Sequence, residues 1–532
     1  MKFQDKPWFT YFVILSVFLV SIACSQDTIS LLALTQTAVT AEELGITVAP
    51  LNGDLQVQES ADQIGSVSGE MDMPTEVDWD PFLTPTISAF PTLNLTQTPA
   101  LQYVSMQGDT LTTLASRFNV QADEILYDGE YSSWGYLPVG ATLWVPNRIG
   151  ETGPVEVLMP DSEVVYSPSA AWFSIEEYVN SAGGYLSRYQ ESTTRGTRTG
   201  AEIIQRAATV YSINPRLLLT LIEYHSGWVF SSPATETQEK YPLGYLDTNY
   251  QGLEKQLNWA CSMLAQGYYG WRSGSVVQVT FPDGGSLRIS PYVNAGTAAI
   301  EYYFATLQNV EFWFDTLYGA KTFLNLHTQM FGDSWARAAE VEPFLDDSTN
   351  PPEFELPFPA GHAWNFTGGP HEAWGAGTAW AALDFAPMGV SGCNPSNEWI
   401  TASYGGIVTR SEEATVVVDS DMDGSEQTGW VIFYFHVQTA GRIPAGVVVE
   451  TGDPLGHPSC EGGNATGTHV HIARKYNGEW IAAGGPGLPY NMSGWVAYNG
   501  PAVYQGILVK NEEVIKSSRV SSIESSVLRP ED

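Results

Sequence analysis

The run "NPPEFELPFP", residues 350–359, divides this 532-residue chain into two textures that cannot share one bundle or one sheet. Its four prolines exclude a continuous helix and a central strand across the joint. Before it, apolar residues recur at helical spacing. After it, short runs rich in β-branched and aromatic residues alternate with Gly, Asp and Pro. A single hydrophobic core rarely grows past roughly 250 residues. A multidomain α+β chain is therefore expected, with a helical middle domain over 165–348, a linker over 349–360, and a mostly antiparallel β domain over 361–505.

In the helical part, "GAEIIQRAATVYSINPRLLLTLIEYHSGWV" holds two amphipathic stretches broken at Asn214-Pro215, where proline ends one helix and opens the next. This order is similar to the opening of lysozyme-like transglycosylase domains, which run helix, Asn-Pro, helix, then Glu-Ser. Here His225 precedes Ser226, and Glu223 lies two residues earlier on another side of the helix. Glycoside hydrolysis needs a carboxylic acid at the scissile oxygen. The expectation is a scaffold, or a glycan-binding relative without that activity. Cys261, inside "LNWACSMLAQG", reads as a buried thiol.

Residues 1–24 read as an export signal: Met1-Lys2, an apolar run from Trp8 to Ala23, then Cys24. That run is short for a membrane-spanning helix. "SIACS" resembles a lipoprotein signal, with Cys24 as the lipid-modified residue and Ser21 where Leu is usual. An uncleaved N-terminal anchor is the alternative, and either places the bulk of the chain outside the cytoplasm at a membrane face. Residues 25–100, rich in Thr, Gln, Pro and acidic side chains, bury too little apolar surface to fold and read as a stalk. With 59 acidic against 23 basic side chains, net −36, nucleic acid is excluded as a partner.

Over 101–148 a short strand leads into Gly108-Asp109, Thr110 caps an amphipathic helix carrying Leu111, Leu114, Ala115 and Phe118, "VQADEILYD" reads as a second short helix, and "ATLWVPN" returns as a strand. This small ββαα-type module resembles the LysM domain. The resemblance implies binding of N-acetylglucosamine-containing glycan strands through the Gly108, Asp109, Thr110 and Leu111 segment. A purely structural module is the alternative.

Six of the eight histidines fall at or after residue 362: His362, His371, His436, His457, His469 and His471. In "GTHVHIA", His469 and His471 sit two apart on a strand and so share a face, with Val470 on the other. Such a pair alone is weak support for metal. Together, "PHEAWGAGTAWAALDFAP" and "CEGGNATGTHVHIA" resemble the lysostaphin/β-lytic zinc metallopeptidases, which cut peptide bonds in peptidoglycan. Most of that family spaces its first ligands as His-x-x-x-Asp, and here Trp380 stands four before Asp384. The β-lytic (LasA-like) branch instead places Asp thirteen residues after a histidine in a Gly-rich turn, as His371 and Asp384 stand here.

The resemblance implies one zinc per chain held by His371, Asp384 and His471, and peptide hydrolysis by a metal-activated water. His436, at the end of "VIFYFH", and His469 become the catalytic pair. One takes up a proton and passes it to the leaving amine, and the other bonds the developing oxyanion. Which does which stays open. Cys460 is implied to join a disulfide, with Cys393 the candidate partner. His362 and His457 read as structural or rim residues, and Trp364, Trp374 and Trp380 as groove or core residues. Residues 506–532 read as a tail, with "KSSRVSSIESSVLRPED", residues 516–532, unstructured. The function expected is an exported, wall-associated zinc endopeptidase. The rivals are a non-catalytic wall-binding activator of other hydrolases, and a muramidase in the helical domain.

Overall fold

The computed structural model describes residues 100–531 apart from 128, 130–134 and 464. The export signal with Cys24, and the stalk up to residue 99, lie outside the described residues.

The first module pairs the strand Ala100–Val104 antiparallel with Thr142–Pro146. Between them runs the helix Leu111–Phe118, with Thr110 and Thr113 exchanging side-chain and backbone hydrogen bonds at its start. Tyr103, Leu114, Phe118, Leu143 and Val145 form its core. The expected second helix is only a 3₁₀ turn, Ala122–Glu124, because the chain leaves it at once to bridge Leu126 to Trp144.

The middle region is built from helices that include Gly200–Tyr211, Pro215–Ser226, Leu253–Ser273 and Ala295–Ala305. Thr199 and Glu202 cap the first reciprocally, and Asn214 caps the second with Pro215 in its first turn.

The C-terminal region is an antiparallel sheet. From edge to edge its strands are Val448–Val449, Gly406–Glu412, Thr415–Asp419, Trp430–Phe435, Val470–Tyr476, Ala382–Pro387, Ala363–His371 and Ser526–Leu528. The central strands are buried on both faces, and strand alternation sorts their residues. Leu383, Phe385, Val416, Val418, Ile432, Tyr434, Val470 and Ile472 face a core shared with Phe358, Trp495 and Leu508. Ala382, Val417, Val431, Phe433 and Ala473 join the core of the helices instead, with Tyr211, Leu264 and Trp271. The sheet is thus a shared wall between two cores.

One expectation is corrected and one open alternative is resolved. Residues 506–531 are ordered: Gly506–Lys510 pairs with Glu513–Lys516, and Ser526–Leu528 closes the sheet edge against Ala363–His371, burying Val527 and Arg529. Arg529 donates to the Leu356 and Phe358 carbonyls, which anchors a segment whose serine-rich sequence shows no periodicity. Trp364 is a core residue, 1% exposed and stacked on Phe358, not part of a groove.

Candidate metal centre

Strand register assembles the site. Asp384 lies directly opposite His471, and His471 directly opposite Phe435, so these side chains share one face. His469, two residues before His471, points the same way. On the next strand Gly368 faces Asp384 and His371 faces Ala382, so two residues between them on one side match one on the other. This bulge turns His371 onto the ligand face. Gly368 is required by space, because a Cβ there would run into the Asp384 carboxylate.

His371 Nε2 and His471 Nδ1 stand 2.9 Å apart, each 3.3 Å from Asp384 Oδ1. The three ligand atoms lie within 4.8 Å of one another, and all three residues are buried. The opposite ring nitrogens decide the tautomers. His371 Nδ1 is 2.8 Å from the Gly369 carbonyl and His471 Nε2 is 3.0 Å from the Ala373 carbonyl, so both must donate. That leaves lone pairs, not protons, on the two nitrogens that face each other. Asp384 Oδ1 is buried and accepts no hydrogen bond. Three electron pairs converging without a donor fit a cation, and two imidazoles with one carboxylate suit zinc. Burial opposes charge here, yet the His371–Asp384 pairing outweighs it, holding Asp384 well below the usual carboxylate range and His371 above its ordinary value.

His436 and His469 flank this cluster with their rings 4.4 Å apart. A regular strand would point His436 away from Phe435's face; its left-handed backbone, φ 63°, turns the ring back. His436 Nδ1 donates to the Glu461 carbonyl at 2.8 Å and His469 Nδ1 to the Gly467 carbonyl at 2.7 Å. Both therefore present Nε2 as an acceptor, and His469 Nε2 is 3.8 Å from Asp384 Oδ1. Burial and the neighbouring His469 and His471 push His436 down to about 3.

The Cys393–Cys460 disulfide forms, and Thr468 bonds the Gly392 and Asn394 carbonyls, fixing the approach to His469. His457 packs on Trp399 and His362 pairs with Glu398, both outside the cluster. Trp374 packs on Phe433 and Phe435 beside Arg206 of the helical region, and Trp380 is half-buried. In the first module Gly108, Asp109 and Thr110 are buried, and Leu111 is half-buried. The Asp109 carboxylate is taken by the Tyr103 hydroxyl, the Met106 amide and the Arg117 guanidinium.

One residue of the site carries no signal in the sequence. Tyr504 stacks on His371 with ring centres 4.2 Å apart, and its backbone exchanges hydrogen bonds with Gly369 and Pro370. Burial, with Asp384 and Glu372 nearby, raises its phenol above the ordinary value. An isolated tyrosine between two turns has no spacing to betray it.

Residues 157–344 match the family described as LasA, N-terminal domain. The chain is 25% identical to Protease LasA of Pseudomonas aeruginosa over 332 residues, covering 58% of this chain and 74% of that protein. It is 27% identical to the Beta-lytic metalloendopeptidase of Achromobacter lyticus over 139 residues, 25% of this chain and 35% of that one. Among solved structures, the M23 metalloprotease pseudoalterin aligns with 23% identity over 32% of this chain and 96% of its own, at a TM-score of 0.26. Taken with the buried His–Asp–His cluster, the sequence matches support the LasA-like family for this chain and identify it as a metallopeptidase.

Proposed function

We propose that the chain is an exported, zinc-dependent endopeptidase that hydrolyses peptide bonds of peptidoglycan. The observation that carries the reading is the convergence of three electron pairs, from His371, Asp384 and His471, beneath two further imidazoles with open Nε2 atoms. Zinc held by those three residues supplies Lewis acidity, polarising a carbonyl and acidifying water near neutral pH. The chain's own groups do the remaining work. The Gly369 and Ala373 carbonyls fix the ligand tautomers, and those of Glu461 and Gly467 fix His436 and His469. One of His436 and His469 takes a proton at Nε2 and returns it to the leaving amine. The other donates to the oxyanion when it is protonated at Nε2 as well as Nδ1, as an imidazolium.

Peptidoglycan as substrate is supported by the resemblance of the stretch from about residue 362 to 482 to wall-cutting peptidases and by the LysM-like module at the front. That module is proposed to hold N-acetylglucosamine-containing strands, with Leu111 the most open part of its Gly108–Leu111 turn. Cys24 is proposed to tether the chain to the outer face of the membrane.

The test is digestion of purified cell wall with the full chain. Chelator-sensitive release of free amines, restored by zinc and without new reducing ends, is expected. New reducing ends would assign the chemistry to a muramidase. A zinc-loaded protein that frees neither from several wall chemistries would make it a regulator.

A further inference from the structure

A second acidic constellation lies where the peptidase chemistry has no use for it. The strands Thr415–Asp419 and Trp430–Phe435 form a hairpin, and its connection opens with "DSDMDG", Asp419 to Gly424. Oxygens of Asp419, Asp421 and Asp423 lie within 4.8 Å of one another. Among the described residues, none of the three carboxylates is paired with a basic side chain. The nearby cations Arg410 and Lys475 are both taken by Glu426.

Three acidic side chains on a loop are common, and one atom sets this group apart. Asp419 is 0% exposed, and while its Oδ2 accepts the Gly424 amide at 2.9 Å, its Oδ1 is buried without any hydrogen-bond partner. A buried carboxylate oxygen without a donor is costly unless a cation meets it. Burial, with Asp421 and Asp423 close by, pushes the Asp419 carboxyl up to about 7.

Two glycines shape the loop. Gly424, at φ +85°, makes the turn, and Gly429 lacks the Cβ that would strike the Asp421 carboxylate. Acidic residues at the first, third and fifth positions with glycine at the sixth reproduce the opening half of a twelve-residue calcium loop. Trp430 occupies the twelfth position in place of a bidentate glutamate, which points to the weaker class of such sites.

We propose that Asp419, Asp421 and Asp423 bind a calcium ion that locks the hairpin whose far end carries His436. An all-oxygen donor set selects a hard cation, whereas the His–Asp–His cluster selects zinc, so the two sites do not compete.

Calorimetric titration of the zinc-loaded, calcium-stripped full chain with calcium chloride tests this, with magnesium chloride in parallel and thermal unfolding as the second readout. One calcium per chain is expected, with a Kd of about 1 mM or tighter. Tm should rise by several degrees, and magnesium should have a much smaller effect. Asp421→Asn and Asp423→Asn alter exposed side chains isosterically. Each should weaken calcium binding by about tenfold or more while zinc content is unchanged. Absence of both heat and Tm shift in the wild type at about 10 mM calcium would overturn the proposal. So would calcium binding that persists undiminished in the double variant, or an equal response to magnesium.

Discussion

His436 occupies a left-handed backbone conformation, φ 63°, that most side chains avoid at a cost of about 1 kcal/mol. That conformation puts its ring on His469 and not in the hydrophobic core behind the sheet. The residues of the centre accordingly divide by what they should lose on truncation. His371→Ala and Asp384→Ala should abolish zinc retention together with amine release, measured by elemental analysis of dialysed protein. His436→Ala and His469→Ala should keep zinc and slow turnover by about 10²–10⁴-fold. A fully metallated His371→Ala protein would refute the ligand set. Gly368→Ala acts at one remove: its methyl would displace the Asp384 carboxylate, so zinc affinity should fall by about 10–100-fold without loss of fold. Sequence reading singled out His371, Asp384 and His471, which the fold brings together, because metal-binding chemistry restricts the residue types and because the thirteen-residue step from His371 to Asp384 is a local spacing. Tyr504 stayed hidden, since only backbone hydrogen bonds to Gly369 and Pro370 bring it over His371. Gly368 stayed hidden for a similar reason: its need is set by a partner strand sixteen residues on.

Among the elements, the helix Ala295–Ala305 carries an ionisable group in an apolar setting. Glu301 is 1% exposed, its Oε1 accepts the Tyr318 hydroxyl at 2.6 Å, and its Oε2 has no partner. Burial raises its carboxyl from 4.5 to about 7. The folded chain therefore holds a proton that the unfolded chain releases, and stability falls as pH rises from about 4.5 to 7. Glu301→Gln should remove that slope. The variant should gain about 2–3 kcal/mol over wild type at pH 8 and nothing near pH 4, read from denaturant unfolding at the two pH values. A gain of equal size at both would show that packing, not titration, is responsible. Helix ends were legible from residue chemistry, as at Thr199 with Glu202 and Asn214 with Pro215. The closing strand Ser526–Leu528 was not. Three residues give no period to read, and its order comes from Arg529 reaching carbonyls some 170 residues away, at Leu356 and Phe358.

At the scale of the molecule, one guanidinium ties the three regions together. Arg272 bonds Asp161 and Tyr268 in the helical region, Glu479 beside the sheet, and the Gln107 carbonyl of the first module. Gly108 is glycine here because a side chain would collide with that guanidinium. Removing the cation leaves the buried Asp161 and Glu479 carboxylates without their partner. Arg272→Ala should cost about 3–5 kcal/mol and split a single unfolding transition into two, followed by calorimetry. A single, unshifted transition would show that apolar packing alone joins the regions. The sharing of one core between the helices and the sheet was out of reach of the sequence, which read the proline-rich joint as a divider. The joint does separate two textures, but Phe433 and Ala473 lie in the same core as Tyr211 and Leu264. The fixed seat of the first module also sets a length. A segment hung on a loose tether sweeps a sphere; one bolted down behaves as a ruler. Any polymer gripped by the front module would then meet the cutting site at one constant offset, and its products would come in evenly stepped sizes rather than a continuous smear.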